Sequence, residues 1–158
     1  MSTKSTAYQA FSPETDPQYV ITRSVEVPAH IERVWRAVSD TDEIAKWFPD
    51  VSAQWQREPG GHGIFVWSGH DPITIRVEVI REPTLIAWSW GHETDQEPTT
   101  LVEFALSESR SDDGSGASAR TTVTVTESGI RTPAHFAENS QGWDTELGQL
   151  VEYLCSRP

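Results

Sequence analysis

The sequence predicts an α+β domain: one curved antiparallel sheet of six to seven strands lying against a long C-terminal helix, with two short helices after the first strand. Three observations carry this. Between Pro133 and Cys155, Phe136, Trp143, Leu147, Leu150, Val151 and Leu154 recur at helical spacing, so that helix has one face to bury. The preceding text alternates apolar and polar residues in short runs bounded by Gly, Pro, Asp and Ser, the pattern of half-buried strands. The later strand runs follow one another without intervening helical patterns, which favours antiparallel neighbours over crossover units.

Residues 1–18 mix Ser, Thr, Pro, Gln and charge without a period and are expected to form a flexible leader ahead of a single domain at 19–156. YVITRSVEV, from Tyr19, is rich in β-branched residues and stops at Pro28, as a first strand would. Ile31, Val34, Trp35 and Val38 then give a short helix with a narrow apolar face. Asp40 or Thr41 can cap a second helix over TDEIAKWF, with Asp42 and Glu43 favourable in its first turn and Pro49 ending it. Four strand segments follow: VSAQWQR, GIFVWSG after the EPGGHG turn, ITIRVEVIRE and LIAWSWG. Ile73, Ile75, Val77 and Val79 are predicted to share one face, as are Ile86, Trp88 and Trp90. The last pair, TTLVEFALSES and ARTTVTVTES, directs Val102, Phe104, Leu106, Val123 and Val125 inward, and RSDDGSGAS between them reads as a solvent-exposed hairpin loop.

A chain of 158 residues is one domain by length. Its 24 acidic against 12 basic residues, a net charge of −12, argue against a nucleic-acid partner and an anionic membrane surface, both of which need clustered Lys and Arg. Cys155 is the sole cysteine, which excludes an intramolecular disulfide and a thiolate metal cluster. No segment has the apolar length of a secretory signal or a membrane span, so a cytoplasmic protein is expected.

Seven tryptophans are the compositional excess. The candidate residues facing the space between sheet and helix are Trp55, Phe65, Trp67, Val77, Trp88, Trp90, Phe104, Phe136, Trp143 and Leu147, with Trp47 and Phe48 placed at a cavity mouth. Two readings stay open: an aromatic-lined pocket for a lipophilic or flat molecule, or a core filled by large rings. His30, His62, His70, His92 and His135 lack metal-ligand spacing, so no metal is expected, and no cofactor either. Ser68-Gly69-His70-Asp71 reads as a turn, since a catalytic triad needs convergence from separate elements. EPGGHG lacks the Gly-Lys-Ser/Thr ending of a phosphate loop. No catalytic residue is assigned; were the pocket to carry a general base, His70, His92, Glu138 and Tyr153 would be its candidates.

Five ordered stretches, VEVPAHIERVWRAVSDTDEIAKWFPD, EPGGHGIF, VEVIREPTLIAWSW, TTVTVTESGI and GWDTELGQLVEYL, together resemble the START-like helix-grip superfamily (SRPBCC). Within it they are similar to the group of the C-terminal domain of the heat-shock chaperone ATPase activator. The resemblance implies a sheet gripping the C-terminal helix over an apolar cavity. Members of the superfamily include lipid and hormone carriers, polyketide cyclases and aromatases, and chaperone co-activators. The leading expectation is therefore a small soluble protein holding an apolar ligand such as a lipid, sterol or polycyclic aromatic. The alternatives are a cyclase- or aromatase-type enzyme and a co-chaperone-like interaction module acting in the stress response. A chaperone and a second copy of the chain are the protein partners the resemblance allows.

Overall fold

Why this chain folds as one sheet is visible in the pairing. In the computed structural model, which describes residues 18–91, 99–112 and 117–156, the elements are β1 (Tyr19–Val27), α1 (Ile31–Ser39), α2 (Thr41–Ile44), β2 (Ser52–Trp55), β3 (His62–Val66), β4 (Ile73–Arg81), β5 (Leu85–Trp90), β6 (Thr100–Asp112), β7 (Ala117–Ile130) and α3 (Pro133–Ser156). The seven strands form one antiparallel sheet in the order β1-β7-β6-β5-β4-β3-β2. β2 to β7 run as a meander, and β1 joins beyond β7, with Val25 opposite Val123. The sheet curves around α3, which lies against β1 and β7. From α3, Trp143, Leu147, Leu150 and Leu154 are buried against Val102, Phe104, Val123 and Val125 of the sheet and Val34, Trp35 and Val38 of α1. This is the helix-grip architecture that the alternation and the helical stripe predict.

The short helices are capped by different devices. Asp40 accepts from the backbone N–H of Asp42 at 3.0 Å, the expected local cap of α2. α1 has no such side chain at His30; instead Glu108, reaching from β6, accepts the Ile31 N–H at 2.9 Å. No described helix is long and apolar enough to cross a membrane.

Three predicted boundaries shift. α2 ends at Ile44 rather than running through Phe48. The residue before Pro49 is steered away from helical geometry, and Trp47 is pinned sideways by its indole, which donates to Ala37 O at 2.8 Å. The shared face of β4 holds from Ile73 to Val77, but a register shift between Val77 and Val79 makes Ile80, not Val79, the residue that packs on the core. The Gly60-Gly61 turn docks at that point: Gly60 N–H donates to Val77 O and Val77 N–H to Gly61 O. A Cβ on Gly61 would stand 2.1 Å from Gln56 O, so only glycine fits. Finally, β6 and β7 pair as far as Asp112 opposite Ala117, well into the tract read as loop. Ladder bonds are made by backbone, so Ser and Gly do not stop them. The tip of that hairpin and residues 1–17 of the leader expected at 1–18 lie outside the described residues.

Candidate functional site

Asn139, Gly142, Trp143 and Glu146 recur at three, one and three along α3 and therefore share a helix edge. Opposite them stand Trp67, just beyond β3, Trp90 at the end of β5, and Phe48 from the turn after α2. Together they line a cavity of about 90 Å³. Phe48 stacks on Trp143 (centroids 5.4 Å apart, planes 20°) and meets Trp67 edge-on (5.2 Å, 88°), while Trp90 lies 6.2 Å from both Trp67 and Trp143.

The other residues predicted to line a cavity sit elsewhere. Phe65, Trp88, Phe104 and Leu147 are buried among one another, with Phe65 and Trp88 5.4 Å apart. Val77 is fully buried on β4. Trp55 packs on Phe65 and donates to Ser39 O at 3.2 Å. Phe136 rests on Tyr19. Of the two mouth residues, Phe48 lines the cavity and Trp47 is held against α1. Most of the space between sheet and helix is thus filled. Among the described residues, the aromatic cavity of about 90 Å³ is well below the roughly 300–1,000 Å³ of drug-sized ligand sites.

Two carboxyl groups that the sequence reading did not single out border this space. Glu127 on β7 is completely buried. It accepts from Trp143 Nε1 (2.8 Å), Trp90 Nε1 (3.2 Å), Thr100 Oγ1 (2.6 Å) and Asn139 Nδ2 (3.0 Å). Trp90 Nε1 also donates to Thr100 Oγ1 at 2.7 Å, and His135 Nε2 lies 3.1 Å from Asn139 Nδ2. The network fixes two of the rings that wall the cavity, Trp90 and Trp143.

Glu146 belongs to the cavity itself. Burial among the rings pushes its carboxyl up to about 7 from 4.5; an indole hydrogen bond from Trp67 opposes this, and the charge of Asp50 adds to it. Because the folded-state value is raised, Glu146 contributes its full stabilisation below about pH 4.5, and that contribution is lost as pH rises to about 7. Glu146→Gln is expected to flatten this part of the stability profile and to raise stability at neutral pH by about 1–2 kcal/mol, a figure discounted for partial exposure. Melting temperatures of both proteins across that pH range check it.

The candidate bases do not converge here. His70 is exposed in the turn after Trp67, Glu138 is exposed on α3, and His92 lies outside the described residues. The Tyr153 hydroxyl donates to Glu43 at 2.8 Å, and Arg33 donates to the same oxygen at 2.7 Å. Burial opposes the Glu43 charge, but these bonds outweigh it and hold that carboxyl below its ordinary value.

His30, Glu32 and Glu108 bring their ligand atoms within 4.8 Å of one another. Glu108, however, already accepts the Ile31 N–H and has the Arg110 guanidinium 3.6 Å away, which leaves a poor cation site. A larger depression of about 280 Å³ is bordered by Glu32, Trp35, Arg36, Asp40, Arg57 and Glu82. Its charges face one another, as in the 3.6 Å pair of Arg57 and Glu82. The smaller cavity is the one walled by aromatic rings.

The seven-stranded grip and its five matching stretches can be set beside known proteins. The family model described as activator of Hsp90 ATPase homolog 1-like protein, AHSA1, matches residues 28–155. The chain belongs to the AHSA1 family. Solved structures share its architecture. CalU16 from Micromonospora echinospora is 21% identical, with a TM-score of 0.68 over 85% of this chain and 75% of that one. An Hsp90 activator from Plasmodium falciparum is 16% identical, with a TM-score of 0.66 over 88% and 97%. The Aha1 dimer from Colwellia psychrerythraea is likewise 16% identical, at 0.66 over 86% and 96%. At such identities the likeness to these three structures is one of fold. No curated protein sequence matches the chain.

Proposed function

We propose that this AHSA1-family domain binds a small apolar or aromatic molecule in the cavity between α3 and the ends of β3 and β5. The observation that supports this reading most is the wall of Phe48, Trp67, Trp90 and Trp143, left partly unfilled beside a carboxyl while the rest of the core is packed. Rings of this kind offer large apolar area with fixed geometry. The cavity volume narrows the ligand to a single ring or a small substituent of a larger molecule rather than a whole sterol. Binding of this kind uses no cofactor, and the reading places the protein in the cytoplasm.

Titration of intrinsic tryptophan fluorescence with toluene, indole, benzyl alcohol, fatty acids, sterols and polycyclic aromatics tests it. Saturable change is expected from the single-ring compounds and not from sterols. A flat response to every compound would overturn the ligand reading. It would turn attention to the second one, a chaperone-directed interaction module or dimer, which is favoured by the family description and by the likeness to an Hsp90 activator and an Aha1 dimer. That module would show as a salt-sensitive complex on the acidic surface.

A further inference from the structure

The polar groups around the cavity follow a pattern that bears on the ligand's chemistry. The side-chain donors of Trp90, Trp143 and Asn139 in the lining are already engaged. The indole N–H groups of Trp90 and Trp143 are spent on Thr100 and Glu127. The Trp67 indole lies on the Glu146 side of the cavity and favours that carboxyl's charged form. Asn139 gives its amide nitrogen to Glu127 and His135, and because indoles also donate to Glu127, that orientation of the amide is the one the carboxylate can accept. Asn139 therefore has only its carbonyl oxygen to offer a ligand.

Glu146 is held but not saturated. With its amide nitrogen turned inward, Gln149 reaches Glu146 Oε1 at 3.0 Å and Trp47 O at 2.7 Å. That is one donor on a carboxylate that can accept about four. Asp50, which accepts from the Ser68 N–H and hydroxyl at 2.7 and 2.9 Å, adds negative charge from the loop beyond Phe48, and the chain as a whole carries −12. The cavity thus presents acceptors, negative field and aromatic walls.

We propose that the cavity receives the ammonium group of a small organic amine, with Glu146 as its counter-ion, Asn139 Oδ1 as a second acceptor and the rings of Trp67, Trp90 and Trp143 as cation-binding walls. The choice rests on the ligand-pocket reading above and specifies its ligand. An ammonium supplies the donors the site lacks, and its charge favours aromatic faces, which a carboxylate or phosphate would not. A neutral aromatic would leave the acceptors of Glu146 and Asn139 unmatched.

The test compares benzylammonium, benzyl alcohol and phenylacetate on the full chain by calorimetry at low ionic strength. At about pH 8, benzylammonium is expected to bind about tenfold or more tightly than benzyl alcohol, with phenylacetate weakest. That preference should shrink towards about pH 5.5 as Glu146 gains its proton while the amine keeps its own. In Glu146→Gln the ratio between amine and alcohol should fall to near one. The pH series needs no variant and so stands even if the exchange disturbs the fold. Equal binding of amine and alcohol, or a preference that survives both the pH change and Glu146→Gln, would overturn the ammonium assignment while leaving an aromatic-ligand pocket. Binding of none of the three would overturn both.

Discussion

Glu127→Ala lowers the melting temperature by about 6–20 °C, the largest loss expected from an exchange in the polar network. The carboxyl is fully buried and is the common acceptor of two indoles, a threonine hydroxyl and an asparagine amide. Removing it strands those donors where water has little access, at about 1–3 kcal/mol for each unsatisfied group, although the losses do not simply add. Several buried donors stranded together put the total at about 3–5 kcal/mol. In a domain of this size each kcal/mol moves the midpoint by about 2–4 °C. Glu127→Gln should fall between the two proteins, since it keeps the volume but turns an amide donor towards groups that themselves donate. Thermal unfolding followed by circular dichroism separates the three. A loss below about 1 kcal/mol would mean that water entering the aromatic cavity satisfies the stranded donors, which would enlarge the accessible site at the expense of the network.

Glu127 also shows where pattern reading stopped. Val123 and Val125 were legible as inward residues of β7, and the same period of two carries on to residue 127, yet a glutamate there contradicts an apolar face. Its donors come from β5, β6 and α3, so no window of sequence holds the reason for its burial. Glu146 is similar: it follows Trp143 by three residues and flanks the apolar stripe, but its surroundings depend on Trp67, far away in the chain. The strand and helix pattern was readable because alternation and the helical stripe are local. The switch of facing residue in β4 was not, because it arises where the Gly60-Gly61 turn bonds to Val77. The size of the cavity was hidden for another reason. It is the small remainder after large rings pack, and a list of inward-facing aromatics reads the same whether the centre is hollow or full.

Trp88→Ala and Trp67→Ala should have opposite profiles, although both delete an indole from the same aromatic group. Trp88 is only 2% exposed and is packed at 5.0–6.3 Å from Trp90, Phe65, Phe48 and Phe104. Its removal opens a void in the middle of the core, and the expected cost is about 3–5 kcal/mol, read as a fall in the urea midpoint at unchanged slope. Trp67 is half-buried at the rim, so less of its surface leaves water on folding and its truncation is expected to cost about 1–2 kcal/mol. Affinity should respond the other way. Trp67 supplies a cavity wall beside Glu146, so an aromatic amine should lose about tenfold or more in Trp67→Ala. The indole bond opposes the upward push of burial on the Glu146 carboxyl. Should Trp67→Ala instead prove as destabilising as Trp88→Ala while affinity holds, the rim rings would be core in all but position, and the ligand would have to be sought elsewhere on the domain.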